Sequence, residues 1–134
     1  MKKLLLIPLL FALNGCALVD AYLMTKYDPN EYQLITSVRL QAQQAKEQCS
    51  DAAVSKINSV RVTSETQLFM LYSEHIPRNK DLIDASKSLH DIAKGLSDQY
   101  AKSDKVSPAF CKIKFQNVET SADKIQTVVA GRPR

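Results

Sequence analysis

The chain has 134 residues, with 18 Lys and Arg against 14 Asp and Glu. This length is sufficient for one domain with its own core, and so small an excess of positive charge gives no indication of a nucleic-acid partner. Three Gly, no Trp and many Ala, Gln, Lys, Leu and Ser residues favour helices over sheets.

The first 16 residues have the organisation of a secretory signal. Lys2 and Lys3 are followed by an apolar stretch over residues 4–13, and the small residue Gly15 precedes Cys16. A helix that spans a membrane needs roughly 20 apolar residues. The apolar stretch is therefore too short to remain as a transmembrane anchor.

The sequence Leu13-Asn14-Gly15-Cys16 resembles the lipobox of bacterial lipoproteins. In that family the cysteine is acylated, with chains such as palmitate, and the protein is cut before it. The resemblance implies that residues 1–15 are a lipoprotein signal peptide and that Cys16 becomes a lipidated first residue. Ala17 stands where inner-membrane members of the family have Asp, so the resemblance implies the outer membrane, with the protein facing the periplasm. The alternative is an ordinary signal peptide that is cut elsewhere.

Two further cysteines, Cys49 and Cys111, remain when Cys16 is assigned to the lipid. An even number in an exported chain predicts one disulfide, whose loop would contribute about 4 kcal/mol to stability. The alternative is a pair of buried free thiols. Because no Cys-x-x-Cys spacing occurs, the sequence indicates neither a redox site nor a zinc site.

Residues 16–28 are expected to form a lipid-anchored tether between the signal and the folded domain. The segment is apolar and partly aromatic rather than rich in Gly and Ser. Two interpretations stay open: the tether lies near the membrane interface, or it packs back on the domain.

A first helix is predicted to begin at Pro29. Asp28 can cap the free backbone N–H groups, and Glu31 stands three residues after this cap, as in a capping box. Apolar residues then recur at spacings of three and four, which places them on one helix face. They are Tyr32, Ile35, Val38, Ala42, Ala45, Cys49 and Ala52.

A second helix is predicted to restart at Ser50-Asp51 and to end before Pro77, because proline disfavours helix at the residue that precedes it. The β-branched residues near 60–63 leave open a kink or break at 59–63. The face expected to turn inward consists of Ile57, Val60, Ser64, Leu68, Leu71 and His75.

Two more helices complete the chain. Asn79 is expected to cap the third, and Ser107-Pro108 predicts the start of the fourth, while Gly131 and Pro133 end it. The third helix has an apolar face of Leu82, Ala85, Leu89, Ile92, Leu96 and Tyr100. The apolar face of the fourth consists of Cys111, Phe115, Val118, Ala122, Ile125 and Val129.

Four amphipathic segments of about 20 residues with short loops predict an all-α, antiparallel up-down-up-down four-helix bundle over residues 29–131. Residues 132–134 would form a C-terminal tail. In this topology Cys49 and Cys111 lie at the same end, on neighbouring helices, so the predicted disulfide fits the predicted fold. The bond would lie at the end away from the tether.

The sequence contains no recognisable catalytic or metal-binding motif. His75 and His90 lie on different predicted helices and lack the His-Glu-x-x-His spacing of a zinc site. Asp81 and Asp84 are typical of a helix N-terminus, where the helix dipole favours negative charge. Residues 121–124 match Ser-x-x-Lys, but the Ser-Asp-Asn and Lys-Thr-Gly partner motifs are missing from the sequence. We therefore expect no enzyme, no catalytic residue, no cofactor and no metal.

Positive charge gathers around Cys111, where only Asp104 opposes it. This pattern predicts contact with an acidic partner or with the cell-wall polymer at the end away from the membrane. The alternative is an ordinary solvated face. The residues concerned are Lys102, Lys105, Lys112 and Lys114.

The start of the mature chain, residues 18–24 (Leu-Val-Asp-Ala-Tyr-Leu-Met) followed by residues 27–32 (Tyr-Asp-Pro-Asn-Glu-Tyr), resembles small lipoproteins encoded by tailed bacteriophages. The total length and the two later cysteines are similar as well. Most of those proteins have no assigned activity, so the resemblance implies a context rather than a mechanism.

The expected function is that of a non-enzymatic periplasmic lipoprotein, anchored in the outer membrane through Cys16, that binds an envelope protein. If it is encoded by a phage, it would modify the host envelope, for example by blocking a receptor from the periplasmic side. The alternative is the outer-membrane subunit of a spanin, which bridges to an inner-membrane partner during lysis. A packed, disulfide-closed bundle argues against this alternative, because such subunits are often shorter and rich in proline.

Overall fold

The computed structural model describes residues 24–103 and 105–134. Within them the chain forms four helices and no strand: α1 (Pro29–Glu47), α2 (Ala52–Glu74), α3 (Lys80–Lys102) and α4 (Pro108–Ala130). The predicted four-helix bundle is confirmed. The signal peptide, Cys16 and the first part of the tether lie outside the described residues.

The helices pack in the order in which they occur, and the bundle closes because α1 packs on α4. Contacts between α1 and α4 give their directions: Arg39 Nη1 lies 2.9 Å from Asp123 Oδ1, and Lys46 Nζ lies 2.7 Å from Glu119 Oε2. Later residues of α1 thus meet earlier residues of α4, as in an antiparallel pair. None of the helices in the described part of the chain combines the length and hydropathy of a transmembrane span.

Three of the helices begin at residues whose side chains cap free N–H groups. Asp28 accepts hydrogen bonds from the backbone N–H groups of Asn30 (2.8 Å) and Glu31 (2.9 Å). Asp51 caps α2, and Ser107 caps α4. Asn79 stands at the start of α3 as predicted, but its side chain makes no capping hydrogen bond.

The predicted inward faces of α1, α3 and α4 supply most of the core. Of the seven residues predicted for the first helix, only Ala52 is fully misplaced: α1 ends at Glu47, and Ala52 is an exposed residue at the start of α2. The buried apolar residues of these three helices and of the turn after α1 are Ile35, Val38, Ala42, Ala45, Cys49, Leu82, Leu89, Ala93, Leu96, Tyr100, Cys111, Phe115, Val118, Ala122, Ile125 and Val129.

The predicted inward face of α2 is wrong. The helix is continuous from Ala52 to Glu74, without the break considered at 59–63, and it turns the opposite side to the core. Phe69 and Val62 are buried there among small polar residues, whereas the aliphatic residues expected inside are exposed. The buried residues of α2 are Ser55, Asn58, Ser59, Val62, Thr66, Phe69 and Ser73.

The last residues of the tether pack on the domain. Tyr27 is half-buried against the core, and its backbone N–H donates to the carbonyl oxygen of Pro133 at 2.9 Å. The Arg134 guanidinium lies 5.2 Å from the centroid of the Tyr27 ring. For residues 24–28 the structure therefore favours packing on the domain, and it brings the tether and the C-terminus to the same end of the bundle.

Candidate functional site

The outer face of α2 is a row of large aliphatic side chains that no other part of the described chain covers. We define it as Ile57, Val60, Ser64, Leu68 and Leu71. The four aliphatic residues are 60%, 55%, 52% and 47% exposed in chain order. At 1.5 Å per residue the row is roughly 21 Å long, which is four helical turns.

The opposite, inner face of α2 can be buried because its hydroxyl groups have hydrogen-bond partners, three of them in the preceding turn of the chain. Serine and threonine side chains in a helix can donate to the carbonyl oxygens of the preceding turn. The structure has these hydrogen bonds from Ser55 to Asp51 (2.7 Å), from Ser59 to Lys56 (2.7 Å) and from Thr66 to Thr63 (2.9 Å). Among the described residues no buried side-chain polar atom lacks a partner.

The exposure of the outer face leaves hydrophobic stabilisation unused. Full burial of an aliphatic side chain contributes about 1.5–3 kcal/mol, and α2 leaves four such side chains about half in water. Single exposed apolar residues are ordinary on protein surfaces, but a contiguous apolar patch marks an interaction site. Elsewhere in the described chain, large exposed apolar residues such as Leu40, Ile113 and Val128 do not form a row over four turns.

Charged residues flank the outer face on both sides. Lys56 and Glu74 lie on one side of the row, and Arg61 and Glu65 lie on the other. Glu65 accepts one long hydrogen bond, from Ser37 Oγ at 3.3 Å. An apolar centre with a charged rim is the usual composition of a protein–protein interface.

The predicted disulfide is confirmed. The two sulfur atoms lie 2.03 Å apart, and the Cα atoms of Cys49 and Cys111 are separated by 5.8 Å. The bond joins the turn after α1 to the first turn of α4, and both residues are buried. It lies at the end of the bundle opposite Tyr27, as expected.

The four predicted lysines share this end of the bundle, but they do not form one surface. Lys102 is the last residue of α3, and Lys105 is exposed in the loop that follows. Lys112 and Lys114 are two residues apart on α4, so their side chains project from different sides of the helix. Lys114 Nζ lies 5.4 Å from the centroid of the Phe110 ring. Contact with an acidic partner or the cell wall stays a prediction.

A buried polar network, not predicted from the sequence, closes the other end. The wholly buried Glu31 accepts hydrogen bonds from Ser73 Oγ (2.9 Å) and Asn79 Nδ2 (2.8 Å), and it forms an ion pair with Arg132. Glu31 lies four residues before Ile35, in register with the buried face of α1, which is the one sequence signal for its burial. All charges in this network are matched, so its evident role is to join α1, α2 and the C-terminus.

The described residues contain no group of three or more His, Cys, Asp or Glu side chains that could hold a metal ion. His90 Nδ1 lies 3.2 Å from Thr66 Oγ1, and His75 Nδ1 lies 3.0 Å from the backbone oxygen of Leu71. His75 is exposed rather than part of an inward face. Each histidine thus has a hydrogen-bond partner within the described chain.

Comparison with known proteins yields no match: no family model, no curated protein and no solved structure is significantly similar to this chain.

Proposed function

We propose that this chain is a lipoprotein of the outer membrane that faces the periplasm and acts by binding a protein through the outer face of α2. The observation that supports the proposal most strongly is the row of four half-exposed aliphatic side chains opposite the buried side of the helix. In a monomer the exposed half of each side chain contributes no hydrophobic stabilisation, whereas in a complex it would supply an apolar interface centre.

The shape of the row favours a helical partner. Its residues recur at three and four along a straight helix, so they form a ridge of the kind that packs into the grooves of another helix. The flanking charges would then form the rim and favour one orientation of the partner over others. No step of this function requires a catalytic group.

The lipid anchor enters the proposal through the resemblance of Leu13-Asn14-Gly15-Cys16 to a lipobox. The described chain enters the bundle at the end closed by Glu31, and α1 extends roughly 29 Å from there towards the disulfide. A lipid on Cys16 would hold the Glu31 end near the membrane and leave the side of α2 open to the periplasm. The lysines near Cys111 would then stand farthest from the membrane.

A photo-crosslinking amino acid at position 68 tests the binding function in intact cells. The matched control is the same probe at Leu40, which is 49% exposed on α1 against 52% for Leu68 on α2. We expect a protein adduct from position 68 and none from position 40. Equal labelling at both positions, or lipid adducts alone, would contradict the proposal.

The identity of the captured protein separates the possible contexts. An outer-membrane receptor or porin would support modification of the host envelope by a phage-encoded lipoprotein. An inner-membrane lysis protein would support the spanin alternative.

The anchor is tested separately by mass spectrometry of the protein extracted from membranes. We expect an N-terminal peptide that begins with an acylated Cys16, and we expect Cys16→Ser to release the protein from the membrane fraction. A soluble wild-type protein with a free N-terminus would exclude the anchor without affecting the binding test.

A further inference from the structure

The outer face of α2 is symmetric about Ser64. Val60 and Leu68 each lie four residues from Ser64, and Ile57 and Leu71 each lie seven residues from it. The row therefore presents large aliphatic residues at the same positions whether the helix is followed forwards or backwards. The smallest side chain of the row stands at its centre.

Such symmetry suits an antiparallel two-fold dimer, because it sets large aliphatic residues against each other along the whole row. In an isologous interface, residue i of one copy contacts residue j of the other, and j contacts i. If two α2 helices pack antiparallel about an axis at Ser64, Ile57 meets the partner's Leu71 and Val60 meets the partner's Leu68. The two Ser64 residues meet each other, and their small side chains allow the helices to approach closely.

The flanking charges are nearly, but not fully, symmetric about the same point. Arg61 and Glu65 are centred on residue 63, and Lys56 and Glu74 are centred on residue 65, so each pair lies one residue away from Ser64. Arg61 and Glu65 are four residues apart and lie on one side of the row, because such a spacing keeps two side chains on the same helix side. In the antiparallel pair each copy's Arg61 lies about 3 Å along the helix axis from the partner's Glu65, an offset that the long side chains can span. Glu65 would then exchange its long hydrogen bond from Ser37 for an ion pair. Lys56 lies at a similar offset from the partner's Glu74 on the other side of the row. Within its own chain Glu74 Oε1 is 4.0 Å from Lys87 Nζ. A parallel pair provides neither pairing.

We infer that the partner of the outer face is a second copy of this chain, packed antiparallel through α2 about a two-fold axis at Ser64. The inference rests on the proposed function, because it names the occupant of the same surface. A single helix face of this length supplies roughly half of the 800 Å² per partner that is typical of stable interfaces. The dimer is therefore weak in dilute solution, and confinement of both copies to one membrane raises their effective concentration.

Cysteine crosslinking of the full chain in cell envelopes tests this geometry. Ser64→Cys places one thiol of each copy at the two-fold axis, so mild oxidation gives a dimer on a non-reducing gel. Lys124→Cys, at an exposed position of α4, is the control and stays monomeric. Circular dichroism and an intact Cys49–Cys111 bond show that each variant is folded.

The direction of packing is tested with thiols at the ends of the row. Ile57→Cys alone gives no dimer, because the two copies of residue 57 are roughly 21 Å apart in the antiparallel pair. Co-expression of Ile57→Cys with Leu71→Cys does give a dimer. Crosslinking by Ile57→Cys alone indicates a parallel pair and overturns the inference.

Charge reversal provides a test without added thiols at the ends of the row. Arg61→Glu sets like charges against each other twice in the dimer, so in the Ser64→Cys background it lowers the crosslinked fraction roughly tenfold. Adding Glu65→Arg restores the pairing and the crosslink. If the double change does not recover what the single change loses, Arg61 and Glu65 do not face each other and the inference fails.

The failures of the inference and of the proposed function are distinguishable. If Ser64→Cys stays monomeric while the probe at Leu68 captures a different protein, the self-association is excluded and the binding function stands. If Ser64→Cys stays monomeric and the probe at Leu68 captures no protein, both are excluded.

Discussion

α2 and α4 are both 23 residues long and lie in the same bundle, but the buried residues of α2 are mostly polar and those of α4 are all apolar. α4 turns a continuous apolar row to the core, with Phe115 and Val118 near its middle. α2 buries Phe69 and Val62 among hydroxyl residues and leaves its longest aliphatic row in water. The comparison shows that the more apolar side of a helix is not always the side that packs within its own chain.

The difference follows from how each face satisfies its polar groups. A buried hydroxyl is costly only when it lacks a hydrogen-bond partner, and the hydroxyls of Ser59 and Thr66 donate to carbonyl oxygens of their own helix. The inner face of α2 therefore loses little by burial, and its small side chains let the neighbouring helices come close. The aliphatic row is then left for a contact outside the monomer.

The strongest test of the comparison removes the large residue from each buried face. Phe69→Ala in α2 and Phe115→Ala in α4 should each lower the free energy of unfolding by about 3–5 kcal/mol, since both phenyl rings are fully buried. Urea denaturation with the disulfide intact measures the change. A loss below about 1 kcal/mol for Phe69→Ala alone would mean that α2 buries its other side, and the difference between the two helices would not exist.

The next test concerns the polar network in which α2 and the segment after α4 meet. Arg132→Ala leaves the carboxylate of Glu31 buried without its ion-pair partner, so we expect a loss of about 3 kcal/mol in the free energy of unfolding. The control is Lys94→Ala, which breaks the half-exposed Lys94–Asp98 pair and should cost below about 0.5 kcal/mol. Equal losses in urea denaturation would mean that Glu31 is hydrated rather than buried.

A reciprocal exchange of Val and Thr measures how each of the two buried faces accommodates a hydroxyl group. Val118→Thr puts a hydroxyl into the apolar face of α4 and should lower the free energy of unfolding by about 1 kcal/mol, because a hydrogen bond to the preceding turn offsets only part of the cost of burying it there. Thr66→Val removes a hydroxyl from the inner face of α2 and should change it by less than about 0.5 kcal/mol. The carbonyl partner of this hydroxyl belongs to the same helix, and the partly exposed His90 ring, its other contact, can bind water instead. If the two exchanges have equal effects, the buried faces of α2 and α4 do not differ in how they accommodate a hydroxyl group.

Much of the fold was predictable because its signals are local. Asp28-Pro29 and Ser107-Pro108 mark helix starts, and the spacing of Cys49 and Cys111 agrees with the topology. The buried face of α2 was not predictable by the same means, because two rows of residues on this helix have helical spacing. The row that is buried is rich in hydroxyl residues, which a sequence pattern assigns to the solvent side. The Glu31–Arg132 pair joins residues 101 positions apart, and no local sequence pattern predicts it.

The smallest expected effect is that of Leu71→Gln, which tests whether the outer face of α2 is exposed to water or buried in a dimer. Leu71→Gln should change the free energy of unfolding by less than about 0.5 kcal/mol in dilute solution, as for other surface substitutions. The wild-type bundle should become more stable as its concentration rises, because a dimer that forms only from folded chains shifts the unfolding equilibrium by mass action. Leu71→Gln should remove this dependence.

Thermal unfolding of the chain without its acyl group (Cys16→Ser) over about a hundredfold range of concentration measures both effects. If the wild type and Leu71→Gln show the same midpoint at every concentration, the outer face of α2 does not bind a second copy under these conditions. The probe at Leu68 would then decide whether a different protein covers the aliphatic row.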